Sequence, residues 1–164
     1  MKIDIQEIQE EDGKWVRDFI QEKWGSKIAV SQGVVHHPDA LPGYLAVVDG
    51  AKQGLVTYHI DGDECEIVTL DSVNECRGIG TTLIVAVRKV AFRAGCKRVW
   101  LITTNDNVKA IRFYQKRGFV LVAVHRNAID ESRKLKPEIP RFGIDGIPIL
   151  DEIEMELILK EAAA

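Results

Sequence analysis

Apolar residues recur along this chain at two periods, and the switches between them mark the elements. The opening MKIDIQEI alternates apolar and polar positions and predicts a strand. DGKWVRDFIQEKW then places Trp15, Val16, Phe19 and Ile20 on one helical face, with Asp12 available as the N-cap. The next stretch, GSKIAVSQGVVHHPDALPGY, is rich in Gly, Pro and Ser and predicts a long shaped loop, a kind more often functional than idle. In YLAVVDGAKQGLVTYHIDGDECEIVTLDSV, the turn signals Asp49-Gly50 and Asp61-Gly62 divide three strands of an antiparallel meander. Residues 81–94 put Leu83, Val87, Val90, Ala91 and Ala94 on one face of a helix that Gly95 can stop. RVWLITT reads as a short strand buried on both faces, residues 107–117 as a helix stopped at Gly118, and FVLVAVH as a strand. A proline- and glycine-rich stretch, residues 126–150, leads into DEIEMELIL, where Ile153, Met155, Leu157 and Leu159 alternate with Glu152, Glu154 and Glu156. The tail KEAAA is expected to fray.

This order gives antiparallel strands first, then one βαβ crossover, then a helix and two more strands. The expected class is α/β (α+β), a mixed sheet with helices on both faces, forming one domain over residues 1–164. Composition narrows the partners. A net charge of -3 and a pI of about 5.8 provide no general basic field for nucleic acid. RKLK (Arg133 to Lys136) reads as a solvated face. The chain has no 18-residue apolar run, and MKIDIQEIQEED lacks the apolar stretch of a signal peptide, so neither a membrane nor export is expected. Cys65, Cys76 and Cys96 are widely spaced with no CxxC pair, which points to reduced thiols in the cytoplasm. His36, His37, His59 and His125 are too scattered for a metal constellation, and no metal is expected.

The chemistry concentrates at ECRGIGTTL. A P-loop requires Gly-Lys-Ser/Thr, which occurs nowhere in the chain, and a dinucleotide fingerprint requires a third glycine where Leu83 stands. Asp106 could imitate the ribose-binding acid of that second motif. The remaining reading is a pyrophosphate held by the backbone N–H groups of Arg77, Gly78, Ile79, Gly80, Thr81 and Thr82 and by the helix dipole. Gly78 and Gly80 matter there because a Cβ would hold the anion away from the amides.

A second stretch, TTNDNVKAIRFYQKRGF (residues 103–119), combines N-x-x-A, Phe-Tyr and Gly-Phe. Together with LDSVNECRGIGTTL, one βα unit upstream, it resembles the GNAT acyltransferase superfamily, and the order of elements resembles that fold over nearly the whole chain. The resemblance implies a three-layer sandwich, a mostly antiparallel sheet with one parallel crossover, splayed between strands 4 and 5 with CoA in the gap. It implies acetyl-CoA as acyl donor and an amine as acceptor, with direct attack in a ternary complex. Gly78, Gly80 and their neighbours would bind pyrophosphate, Asn107 would reach the pantetheine arm, Tyr114 would protonate the departing thiolate, and the backbone near Leu70 would pair with pantetheine and stabilise the oxyanion. Dimers are common among similar proteins, so a homodimer is compatible, although the sequence does not fix the assembly. One departure is plain: Glu75 stands where Gln or Arg is usual. Its carboxylate is expected to face away from the anion, with Arg77 or Arg112 supplying positive charge.

Removing a proton from the acceptor ammonium requires a base. Period two along ECEIVTLD places Glu64, Glu66, Val68 and Leu70 on one face and Cys65, Ile67, Thr69 and Asp71 on the other. Glu64 matches the spacing of a base in some relatives and Glu66 lies nearer the chemistry, so both stand as candidates. Asp71 is read as shaping the turn and as a candidate for acceptor recognition. On the helix, Phe113 is expected to be the core residue and Tyr114 the cleft residue. By position in the fold, Trp24, Ser31, Gln32, His36, His37, Leu41 and Pro42 are candidates for the acceptor wall. A noncatalytic acyl-CoA-binding domain of the same fold is the alternative function.

Overall fold

The computed structural model describes residues 1–75 and 78–160. Strand β1 (Asp4–Glu7) and helix α1 (Gly13–Trp24) follow the periodicity, and α1 buries Val16, Phe19 and Ile20 before ending at Gly25 with φ 69°. Asp12 sits at the N-cap position without capping α1. Its carboxylate accepts from the Gln9 amide at 2.8 Å, closing the preceding 3-10 turn, and pairs with Lys52 at 2.9 Å. The expected loop contains a hairpin, β2 (Ala29–Ser31) and β3 (Val34–His36), whose two-residue turn has Gln32 at φ 51° and Gly33 at φ 74°. Positive φ at both turn positions gives the backbone twist that matches short paired strands.

The meander appears as β4 (Gly43–Val48), β5 (Ala51–Asp61) and β6 (Glu64–Ser72), followed by α2 (Ile79–Arg93), β7 (Arg98–Thr104), α3 (Val108–Gln115) and β8 (Val120–His125). The proline- and glycine-rich stretch contains a further helix, α4 (Ala128–Leu135), before β9 (Glu152–Ile158). The large sheet runs β1-β4-β5-β6-β7-β9-β8. Its β6–β7 pair is parallel and its other pairs are antiparallel. On one face, α2 and α3 cover Val56, Ile67, Leu101 and Met155; on the other, α1 covers Leu45 and Leu55. Gly54 lets α2 approach, since a Cβ there would lie 2.5 Å from Ile79 Cγ2. Among the described residues no helix is long and apolar enough to cross a membrane.

Two irregularities prepare the site. Pairing of β6 with β7 runs only from Glu64↔Arg98 to Ile67↔Leu101, after which the strands part. Counted along the large sheet in chain order, these are its fourth and fifth strands. Next to the split lies a bulge: Thr57 pairs with Thr69 and Tyr58 with Ile67, leaving Val68 unpaired. An extra residue reverses the face of everything beyond it. Uniform alternation along β6 therefore fails. Thr69 and Asp71 share the α1 face with Glu66, and Leu70 turns to the α2 face with Ile67.

Candidate active site

Where β6 and β7 part, a cavity of about 450 Å³ opens, walled by Leu70, Asp71, Asn107, Tyr114, Trp24 and Glu152 among others. The backbone groups of β6 beyond Ile67 that face β7 have no strand partner there. They are donors and acceptors left over by the splay.

The glycine turn leads into α2. Gly78, at φ 77°, is the left-handed residue at its N-cap. The Thr82 amide and hydroxyl both donate to Gly78 O, at 3.1 and 2.8 Å, so Thr82 is not an open donor as expected. The amides of Ile79, Gly80 and Thr81, the first of the helix, have no hydrogen-bond acceptor among the described residues. Gly80 has a packing reason of its own, because a Cβ would lie 2.8 Å from Phe113 Cζ. Arg77 falls outside the described residues. The exposed Glu75 pairs with Lys109 on α3. Among the described residues a cation beside the turn is Arg117, which sequence reasoning missed. Its Nε donates to Thr81 Oγ1 at 2.8 Å, its Nη1 donates to Phe113 O at 2.8 Å, and its guanidinium lies 3.6 Å from the Phe113 ring centroid. Arg112 is exposed.

Helix α3 carries Asn107 and Tyr114 into the wall. Asn107 is the N-cap, its Oδ1 accepting from the Ala110 amide at 3.2 Å. That leaves its Nδ2 as the group able to donate to a ligand. Tyr114 lines the cavity as expected and Phe113 does not, but the expected core role of Phe113 fails, because Tyr114 is the more deeply packed of the two. Tyr114 is 8% exposed and packs edge-on between Phe113 and Phe119, whereas Phe113 is only partly buried beneath Arg117. Burial, with the charge of Asp71 adding to it, pushes the Tyr114 phenol well above its ordinary value. Asp71 accepts from Trp24 Nε1 at 2.6 Å, and burial raises its carboxyl to about 6 against that hydrogen bond.

The acids on the α1 face separate into two groups. Glu64 belongs to an ion network away from the cavity wall: Arg98 reaches Glu64 at 3.0 Å, Glu154 at 2.9 Å and Glu156 at 3.1 Å, and His125 lies 3.0 Å from Glu154. Glu66 is 4% exposed and has no cation of this kind. Its Oε1 and the neighbouring Ser31 Oγ are both buried without a hydrogen-bond partner, and His36 Nε2 stands 3.7 Å from its other oxygen. Burial pushes the Glu66 carboxyl up to about 7; the Ser31 hydroxyl tempers the shift and Glu152 adds to it. Burial and the nearby His59 and His37 hold the His36 imidazole down, toward its neutral form. Glu152, a charged position of the alternating β9, is buried and accepts from the Gln32 amide and side chain, both at 3.3 Å. His37 is exposed, and neither it, Leu41 nor Pro42 lines the cavity.

RKLK is not a solvated face. Arg133 donates to the carbonyls of Ile139, Pro140 and Ile149, and Lys136 is 7% exposed, lines the cavity and has Nζ 5.3 Å from the Trp24 ring centroid. Asp106 is taken up structurally: Thr104 Oγ1 donates to it at 2.5 Å and the Ile144 amide at 3.1 Å, which removes it as a ribose ligand. Among the described residues no group of three or more His, Cys, Asp or Glu side chains is placed to hold a metal.

The uncharacterized protein YdhI of Bacillus subtilis is 50% identical over 138 residues, covering 83% of this chain and 86% of the relative. Two solved structures share the fold. One is an IAA acetyltransferase of Bacillus cereus, with a TM-score of 0.71 at 18% identity over 96% of this chain and 100% of that one. The other is a Bacillus subtilis acetyltransferase in complex with CoA, with a TM-score of 0.67 at 17% identity over 97% and 99%. The family model described as Acetyltransferase (GNAT) family matches residues 5–119, the segment carrying the glycine turn, the splay and the Tyr114 helix, and the chain belongs to that family.

Proposed function

We propose that this protein is an acetyl-CoA-dependent N-acetyltransferase acting as one domain over residues 1–164, in the cytoplasm. The observation that carries this reading is the cavity at the β6–β7 split, which brings Leu70, Asp71, Asn107 and Tyr114 into one wall. In support, a structure from Salmonella typhimurium, described with its cofactor acetyl-CoA, shares the fold at a TM-score of 0.67. The free amides of Ile79, Gly80 and Thr81, with Arg117 beside them, suit a pyrophosphate. The unpaired β6 backbone near Leu70 and Asn107 Nδ2 suit pantetheine.

In the reaction, the acceptor nitrogen attacks the thioester carbonyl and a C–N bond forms. A backbone N–H near Leu70 receives the oxyanion. Glu66, as carboxylate, takes the proton released by the nitrogen. It is absent from the cavity wall, so the transfer runs through Ser31 Oγ or a water. The C–S bond then breaks and the Tyr114 phenol supplies the proton to the thiolate. In water a phenol is a weaker acid than a thiol, so this transfer runs uphill, and the raised pKa of Tyr114 adds to that; the same burial works the other way by raising the basicity of the thiolate. Glu64 is left out because Arg98 holds it. Asp71 is a second reading for the base, favoured by its place in the wall.

Calorimetry with acetyl-CoA, CoA and NAD, followed by thiol release across amines, tests the proposal. Micromolar binding of acetyl-CoA with amine-dependent thiol release is expected, and failure to bind ends the reading. Binding without turnover on any amine would favour the noncatalytic alternative. Tyr114→Phe should lower kcat by about a hundredfold with acetyl-CoA affinity retained, and an unchanged chemical step would remove Tyr114 from the role. The assembly belongs to the same proposal: β8 ends the sheet with Val120, Leu121, Val122 and Val124 exposed. A second copy of the chain, pairing its own β8 across a two-fold axis, covers both edges at once.

A further inference from the structure

Among the described residues Lys136 is a buried cation with no carboxylate in salt-bridge contact. It is 7% exposed, it lines the cavity, and its ammonium makes no salt bridge or hydrogen bond with a described residue, only the Trp24 ring lying 5.3 Å away. Burial holds its pKa down, partly opposed by Glu138. Removing an ammonium from water without an anion is costly, and an aromatic face offsets only part of that. Two carboxylates, Asp71 and Glu152, line the same cavity, and neither is paired with Lys136. Lys23, also in the wall, is exposed. Opposite charges that would relieve each other in contact are thus held apart on one wall. The same cavity wall carries the apolar Ile129, Ile139, Pro140 and Ile149, and also the buried Ser132, whose hydroxyl donates to Ala128 O at 3.3 Å.

Building on the acetyltransferase reading, we infer that the acceptor is a free amino acid with an apolar side chain, its carboxylate seated on Lys136 and its amine on the acidic side of the cavity. A wall with separated positive and negative groups matches a zwitterion. A single lysine in apolar surroundings suits a monoanion, whereas a phosphate dianion would require further donors. The volume of about 450 Å³ is that of a small-molecule site. A simple polyamine would leave Lys136 unpaired and repelled. The amine so held is the nitrogen that would attack the thioester, so the inference adds a specificity residue to the proposed reaction and leaves its steps unchanged.

Matched acceptors test it: leucine against leucinamide and isoamylamine, and phenylalanine against 2-phenylethylamine, assayed by thiol release with wild type, Lys136→Met and Lys136→Arg. Wild type should favour the carboxylate-bearing partner by about tenfold or more in kcat/KM, the size of a lost charge-assisted hydrogen bond. Lys136→Met should erase that preference through KM, with acetyl-CoA affinity retained and the melting temperature no lower than wild type because a costly buried charge is removed, and Lys136→Arg should restore the preference. Equal or better use of the decarboxylated amines by wild type, or a preference that survives Lys136→Met, overturns the inference. Calorimetric titration of the acetyl-CoA-saturated protein with 4-methylpentanoate and its amide gives a readout that needs no turnover. Binding of the acid alone, lost in Lys136→Met, supports the inference, and binding of neither overturns it. Failure to bind acetyl-CoA would strike the acetyltransferase reading instead, which keeps the two failures distinguishable.

Discussion

Glu66 shows how one buried side chain joins stability to chemistry. Its ordinary value is 4.5 and burial raises it to about 7. Between those values the unfolded chain releases the proton and the folded protein retains it, so this group makes stability fall as pH rises through the window. Below pH 4.5 both states are protonated and the penalty is absent; above about 7 it is complete. Glu66→Gln should therefore melt several degrees above wild type at pH 8 and close to wild type at pH 4, by scanning calorimetry. The same carboxylate must be ionised to act as base, so wild-type kcat should rise with pH through about 7, and Glu66→Gln should lose about a hundredfold or more at pH 8. A variant with full activity and an unaltered pH profile would shift the role to Asp71. Glu66 was a candidate from its alternation alone. Its lack of a lysine or arginine partner among the described residues, and the capture of Glu64 by Arg98, were not visible because both depend on strands distant in sequence.

At the scale of elements, the junction of α2 with α3 depends on Gly80. The expectation that its missing side chain serves only the anion was incomplete, because the nearest obstacle to a Cβ is the Phe113 ring at 2.8 Å. Gly80→Ala should push that ring and the Arg117 stacked on it, costing about 1–3 kcal/mol of stability and weakening acetyl-CoA binding together. Calorimetric melting and titration of the same sample would check this, and unaltered values in both would refute it. Periodicity made α1, the meander, α2, β7, α3, β8 and β9 legible. It missed the β2–β3 hairpin, whose strands span three residues around an unassuming Gln-Gly turn. It also missed α4, eight residues whose buried face is little more than Ile129 and Ser132. The bulge at Val68 leaves no trace in ECEIVTLDS, yet it decides that Asp71 shares a face with Glu66.

Across the whole molecule, the sheet is covered on its faces and open at its β8 edge. Val120 and Val124 are 56% and 59% exposed there, an arrangement that favours pairing with another strand. Light scattering should give a dimer for wild type and a monomer for Val124→Lys, with acetyl-CoA affinity kept; a wild-type monomer at high concentration would refute the paired edge. The sequence by itself determined the order of the main strands and helices, the glycine turn, and the motif that shares a helix with Tyr114. These follow from local rules, the 3.6- and two-residue periods and the backbone freedom of glycine. Only the tertiary structure decided which charges are paired and which are buried alone. Arg98 is satisfied by three glutamates, Arg117 stands beside the turn, and Lys136 is sealed under Trp24 without an anion. A charged side chain reads the same in a sequence whether water or protein covers it, and what covers it comes from elements folded in from elsewhere in the chain.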